Sequence, residues 1–252
     1  MQEIGIVGWG KTASYFADRI EKSNSSELIF IATRKAINQA HRFNNISVDE
    51  IPLNFKGILL LCISDDSIAI VAEKFINHKQ MLVAHCAGSV SIEVLSKCNN
   101  YGVFYPLQTL AKKDEQSFAT CIEANNEQNV TLLKKLAENL GCAPVLMNSE
   151  QRLILHLAAT ASNNFVHYLF TNIAQFLEKN NMDMELLKPL IYKTIEQIVD
   201  SNSNLPALQT GPANRGDKKT IEKHRNLLKS DAEMDSLYSF FTEAIANNKT
   251  AK

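Results

Sequence analysis

The sequence predicts an α/β fold: a doubly wound, mainly parallel sheet over residues 1–148, followed by an all-helical domain over 149–252. Three observations predict it. Short apolar runs alternate with stretches of helical periodicity through the first half, the pattern of strands buried on both faces and joined by helical crossovers. A glycine-rich turn, Gly8-Trp9-Gly10-Lys11-Thr12-Ala13, joins the first apolar run to the first helical stretch. Past Ser149 no convincing strand pattern recurs.

The run 3–7 gives the first strand. Over 11–22, Ala13, Phe16, Ala17 and Ile20 share one helical face. A second strand is expected at 28–32 and a polar amphipathic helix at 35–43. The stretch 58–63 is a continuous apolar strand. Ser64-Asp65-Asp66-Ser67 then supplies turn and cap residues, with Asp65 or Asp66 the expected cap, and a helix follows over 68–76. Strands are expected at 81–86, 103–105 and 118–123. A helix over 126–140 ends at Gly141, and a last strand takes 143–147. The second half reads as helices. The stretch 151–179 has no Pro or Gly; 184–200 holds Pro189, which should kink or restart it; 218–229 and 232–247 follow a polar loop at 201–216. The tail 248–252 is polar and expected to fray.

Composition narrows the function classes. Lys and Arg total 26 against 27 Asp and Glu, a net charge of −1, which argues against a strongly basic nucleic-acid surface. No apolar run approaches the ~18 residues of a membrane helix. The opening Met-Gln-Glu carries no basic leader region, so a cytoplasmic protein is expected. The five cysteines, Cys62, Cys86, Cys98, Cys121 and Cys142, contain no Cys-x-x-Cys pair; reduced, buried thiols are expected, with no metal site.

The turn carries the chemistry. A strand, then G-x-G-x-x-A, then a helix is the context in which this pattern binds a dinucleotide. Gly8 permits the tight turn, Gly10 lets the backbone approach a pyrophosphate, and Ala13 lets the helix pack on the sheet. Trp9, Lys11 and Thr12 complete the turn, and the helix N-terminus offers N–H groups to phosphate. An NAD site places an acid at the end of the second strand, on the ribose 2′-hydroxyl. This chain has Ala32-Thr33-Arg34-Lys35 there. Arg34 can pair with a 2′-phosphate, Thr33 can donate a hydrogen bond and Lys35 adds charge, which favours NADP.

Other strand ends should reach the same rim. Ser64 follows the 58–63 strand, and Cys86-Ala87-Gly88-Ser89 follows the next. Their backbone N–H groups and small side chains suit the nicotinamide end. His85 either faces the cleft or packs within its strand. Tyr105-Pro106-Leu107-Gln108-Thr109 forms a loop that could close over the cleft.

These motifs, with the segments 156–164 and 210–217 and His224, resemble a known group. The layout is similar to the superfamily of β-hydroxyacid dehydrogenases, pyrroline-5-carboxylate reductases and deazaflavin-dependent NADP reductases. More closely, the chain resembles a bacterial branch assigned as NADP oxidoreductases, with a Rossmann-like domain and a C-terminal helical domain of unknown function. That branch typically shows His-Thr-Ser-Gly and His-Pro-Leu; here Cys86 and Ala87 replace the Thr-Ser pair and Tyr105 replaces a histidine. The resemblance implies a homodimer formed through the helical domain.

His156, Thr160, Asn163 and Asn164 recur at the spacing of one helical face. β-Hydroxyacid dehydrogenases carry a lysine three residues before an Asn pair, and aligning that pair with Asn163-Asn164 puts Thr160 at the lysine position. His156, one turn earlier, is the expected proton donor, since imidazole titrates near neutral pH. Asn163 or Asn164 would orient the substrate. The same groups would also serve a helix–helix or dimer contact. In 210–217, Asp217 is the expected cap of the helix holding His224, and Arg215 could bind a carboxylate, although the segment would serve equally as a connector. The expected function is an NADP(H)-dependent oxidoreductase transferring hydride to or from a small carbonyl or imine substrate. The alternatives are an inert NADP-binding regulator or scaffold and hydride exchange with a deazaflavin.

Overall fold

The computed structural model describes residues 1–34, 43–109, 116–200 and 204–250. Packing divides the chain into two compact units, Met1–Thr160 and Ala161–Lys252. The first unit takes in the stretch 149–160 together with 1–148.

Among the described residues the first unit holds eight strands in one sheet. They are β1 (Gln2–Val7), β2 (Ser26–Thr33), β3 (Asn45–Ser47), β4 (Ile58–Leu61), β5 (Leu82–His85), β6 (Asn100–Pro106), β7 (Ala119–Ala124) and β8 (Ala143–Leu146), in the order β3-β2-β1-β4-β5-β6-β7-β8. Neighbours pair parallel except β6 with β7, where Phe104 faces Ile122 across an antiparallel ladder. The order reverses between β1 and β4, and the carboxyl ends beside such a switch point form a ligand crevice. The edge strand β3 is only three residues long, and its Asn-Ile-Ser sequence carries no alternating signal.

Both faces of the sheet are covered, which is why β4 reads Ile-Leu-Leu-Leu without alternation. One layer packs Ala13, Phe16, Ala17 and Ile20 of α1 (Lys11–Lys22) with Leu133 and Leu136 of α3 (Glu127–Asn139). The other packs Ile68 and Ala72 of α2 (Asp65–Ala72) with Phe75, Met81 and Leu95. Each fully buried Leu, Ile, Phe or Met among them contributes about 1.5–3 kcal/mol relative to exposure. The N-cap of α2 is Ser64, and Asp65 and Asp66 occupy its first turn. The helix therefore starts earlier than 68 and finishes in a 3-10 turn, Glu73–Phe75. Gly141 ends α3 at φ +69°.

The uninterrupted periodicity over 151–179 predicts one helix, but the structure divides it. After α4 (Ser149–Ala159) comes a π-helical turn, Thr160–Phe165, and then α5 (Val166–Lys179). Pro189 does restart its helix: a 3-10 turn, Met184–Leu187, gives way to α6 (Lys188–Asp200), with the proline in the first turn. The loop that follows carries α7 (Pro212–Arg215). Next come α8 (Lys218–Leu227) and α9 (Ala232–Thr250), which reaches residues 248–250 of the segment expected to fray. The helix expected at 35–43 falls almost wholly on 35–42, outside the described residues.

Candidate functional site

The turn after β1 has the geometry its glycines predict. Gly8 sits at φ +103°, and a Cβ there would lie 2.4 Å from the Cys62 carbonyl oxygen. Its N–H donates to the Ala32 carbonyl at 2.9 Å, tying the turn to β2. Gly10 is the N-cap of α1 in extended conformation, and a Cβ there would meet nothing within 4 Å. The space before Gly10 is thus open on the side from which a phosphate would approach. No side chain caps α1 and its first turn holds no acid, so the positive end of the helix is left for a ligand. By contrast Asn126 caps α3 and Asn148 caps α4. Ala13 is fully buried, Thr12 half-buried and Lys11 exposed. Trp9 turns towards the loop after β2, edge-on to Phe43 with ring centroids 6.0 Å apart.

At the end of β2, Thr33 is half-buried and Arg34 exposed. Lys35 lies outside the described residues. At the end of β4, Ser64 is exposed and its hydroxyl is 2.8 Å from that of Ser67.

The turn after β5 differs from expectation. The Ala87 N–H is not offered to a ligand: it donates to Nδ1 of His85 at 3.2 Å. His85 is fully buried and therefore packed. Burial first, then the Arg152 charge, lower its pKa from 6.5 to about 4, with the Ser91 backbone and Asp65 acting the other way. Gly88 is needed for a reason spacing does not reveal. A Cβ there would lie 2.5 Å from His156 Nδ1 and 2.8 Å from Tyr105 Cζ.

That close approach seats the pair most suited to proton transfer. The Tyr105 hydroxyl is 3.0 Å from His156 Nδ1, and the rings meet edge-on with centroids 5.8 Å apart. Burial chiefly, with a smaller contribution from Cys121, raises the Tyr105 pKa against the opposing Arg152 charge, so the phenol stays protonated and can donate to the imidazole. Tyr105 comes from the carboxyl end of β6 and His156 from α4.

Arg152, one turn before His156, holds α4 on the sheet. It is 1% exposed and forms an ion pair with Glu123 of β7 at 2.5 Å. It also donates to the Val90 carbonyl and to Ser149 Oγ. Ser149 in turn donates to Glu123 at 2.8 Å and accepts the Ile92 N–H at 3.0 Å. Sequence patterning gives no sign of this network, because a charge on a helix ordinarily marks a solvated face.

The other expected catalytic residues are arranged differently. Thr160 donates its hydroxyl to the His156 carbonyl at 2.9 Å, a bond within its own helix. Asn163 and Asn164 lie exposed on the π turn, with Asn163 Nδ2 donating to Asn164 Oδ1 at 2.9 Å. The wider turn changes the angular spacing, so the α-helical rule that put all four on one face does not apply past Thr160. In the second unit Asp217 caps α8 by accepting the Thr220 N–H at 3.1 Å. Gly211 and Gly216 take positive φ on either side of α7. His224 Nδ1 is 2.9 Å from the Tyr238 hydroxyl, and Arg215 is exposed.

Residues 118–245 match the model of one protein family, Domain of unknown function (DUF2520). The chain belongs to that family. Among solved structures it is similar to a protein from Bacteroides fragilis provisionally assigned as an NADP oxidoreductase, with 25% identity over 98% of both chains and a TM-score of 0.86. It shares its fold with Plasmodium falciparum pyrroline carboxylate reductase with NADP bound (18% identity, 99% and 97% coverage, TM-score 0.63). It also shares it with a Streptomyces aurantiacus imine reductase (9% identity, 99% and 95% coverage, TM-score 0.71). No curated protein matches the chain. For this DUF2520 member the likeness places a Rossmann-type sheet before a helical C-terminal region. No described helix is long and apolar enough to cross a membrane.

Proposed function

We propose that the chain is an NADP(H)-dependent oxidoreductase acting on a small substrate with a C=N or C=O bond. The observation that carries this reading is the open, uncapped and acid-free N-terminus of α1 behind Gly10. Its N–H groups would hold the pyrophosphate. Arg34 and Thr33, at a strand end without an acid, would hold the 2′-phosphate, and Lys35 would add charge. The fold neighbours include reductases of imines and of pyrroline carboxylate, which supports a C=N substrate.

When bound, NADPH supplies the hydride. The chain's own part is to orient the substrate and supply a proton. With the Tyr105 hydroxyl as the donor to Nδ1 of His156, Nε2 would be the atom that passes a proton to the substrate. Gly88 and the Arg152–Glu123 pair hold the ring in place. Asn163 and Asn164 would orient a substrate, and the helical unit would pair two chains into a homodimer.

The test is NADPH consumption across a panel of cyclic imines, aldehydes and keto acids, with a deazaflavin as a separate arm. Turnover with an imine is expected, and His156→Gln should lower it by ~10²–10⁴ while NADPH affinity stays nearly unchanged. NADPH binding without turnover on any substrate would select the inert scaffold instead.

A further inference from the structure

Two thiols lie side by side where the phosphate turn meets the sheet. Cys62 and Cys86 are the first residues past β4 and β5, whose last pair in register is Leu61 with His85. They are therefore neighbours across parallel strands spaced about 4.8 Å apart, inside the ~4.4–6.8 Å between Cα atoms that a disulfide bridges. Their sulfurs are 3.6 Å apart. Both residues are only partly buried, whereas Cys98, Cys121 and Cys142 are buried. Both pack against the layer that contains Ala13 and Phe16 of α1. The Cys62 backbone also abuts the turn: its N–H donates to the Val7 carbonyl at 2.9 Å, and its own carbonyl fills the space beside Gly8.

We propose that Cys62 and Cys86 form a reversible disulfide whose closure moves the phosphate-binding turn. The bond itself is independent of the cofactor reading; only its effect on NADPH rests on that reading. The oxidant class is a peroxide. The hydrogen bond between the two thiols, with Cys86 donating once Cys62 is the thiolate, and burial raise the Cys86 pKa, so Cys86 is the resolving thiol and Cys62 attacks first. Its thiolate displaces hydroxide from the peroxide O–O bond, leaving a sulfenic acid and, after protonation, one water. The Cys86 sulfur then attacks the Cys62 sulfur. The S–O bond breaks, and the departing hydroxide takes the Cys86 proton as a second water. Two thiols lose two electrons and two protons, and hydrogen peroxide becomes two waters. A reducing thiol reverses the bond by exchange. Closing the sulfurs from 3.6 Å to ~2.05 Å re-seats the Cys62 residue without a change of strand spacing, and its carbonyl, beside Gly8, carries that adjustment to the turn.

The full chain is oxidised with hydrogen peroxide, alkylated and mapped without reduction, alongside hydrogen exchange of the peptide bearing residues 8–13. One cross-link, 62 to 86, is expected, with Cys98, Cys121 and Cys142 still alkylatable after denaturation. Turn exchange should change in the oxidised protein and recover on reduction. Neither effect should occur in Cys62→Ser or Cys86→Ser. NADPH affinity of the oxidised protein should fall about tenfold. Separate over-oxidation of the thiols without a cross-link overturns the proposal, as does a cross-link that leaves turn exchange unchanged. If the reduced protein does not bind NADPH, the cofactor reading fails, while the cross-link and exchange still decide this one.

Discussion

Arg34 and His85 both stand at carboxyl ends of strands, yet their surroundings give them opposite tasks. Arg34 is exposed at the rim, free to present a guanidinium fork to a 2′-phosphate. Removing it in Arg34→Ala should weaken NADPH binding by roughly 1.5–3 kcal/mol, about ten- to a hundredfold, and leave NADH binding nearly unchanged. Paired titrations with the two cofactors check this. His85 is sealed in the sheet, with its pKa lowered from 6.5 to about 4. Above 6.5 both the folded and unfolded forms are neutral, and its full contribution to stability is present. As pH falls, the unfolded chain takes up a proton that the folded chain refuses, so stability drops between pH 6.5 and about 4. At the low end the loss is about 3 kcal/mol. Urea unfolding across that range should show the slope. His85→Asn, which keeps an acceptor for the Ala87 N–H, should flatten it.

At the scale of elements, α4 is fixed to β7 by one buried cation. Arg152→Ala would leave the Glu123 carboxylate with Ser149 alone as a side-chain partner and should cost about 3–5 kcal/mol. Converting Arg152 and Glu123 together to apolar residues should recover much of that loss, which a double-mutant cycle by chemical unfolding measures. If the pair also positions His156, the doubly substituted protein should refold well yet turn over slowly. The phosphate turn was legible in the sequence because its signals are local: φ preference, side-chain size and the step from strand to helix. Tyr105 was visible at a strand end, but nothing in the chain said that it would meet His156, 51 residues later. The π turn was hidden because apolar spacing hardly distinguishes it from an α-helix. Arg152 was hidden because its partner is far away in sequence, and Ser64 because it takes the N-cap position without a side-chain capping bond, beside two aspartates that offer one.

For the whole molecule the imbalance between the two units is the main fact. The sheet buries side chains on both faces, whereas among the described residues of 161–252 only Asn172 and Leu228 are buried. The helix α6 buries none, although Leu190, Tyr192 and Val199 are large and 64%, 74% and 75% exposed. A unit this short of core needs another surface, and a second copy of the chain would provide one. Light scattering at micromolar concentration should give a dimer, and Tyr192→Glu with Val199→Glu should yield a less stable monomer. A stable wild-type monomer would count against this.

Gly10 offers the most direct measurement of the central claim, that this turn holds NADPH. Its backbone is extended, at φ −95° and ψ −170°, and a Cβ meets nothing within 4 Å. Gly10→Val should therefore fold as the wild type does, with the same melting temperature in the absence of nucleotide. Its side chain would fill the space the pyrophosphate needs. Calorimetric titration with NADPH should show saturable binding to the wild type and a loss of affinity of at least about a hundredfold in the variant, some 2.7 kcal/mol. Equal affinity in the two proteins, or no binding to either, would contradict the account.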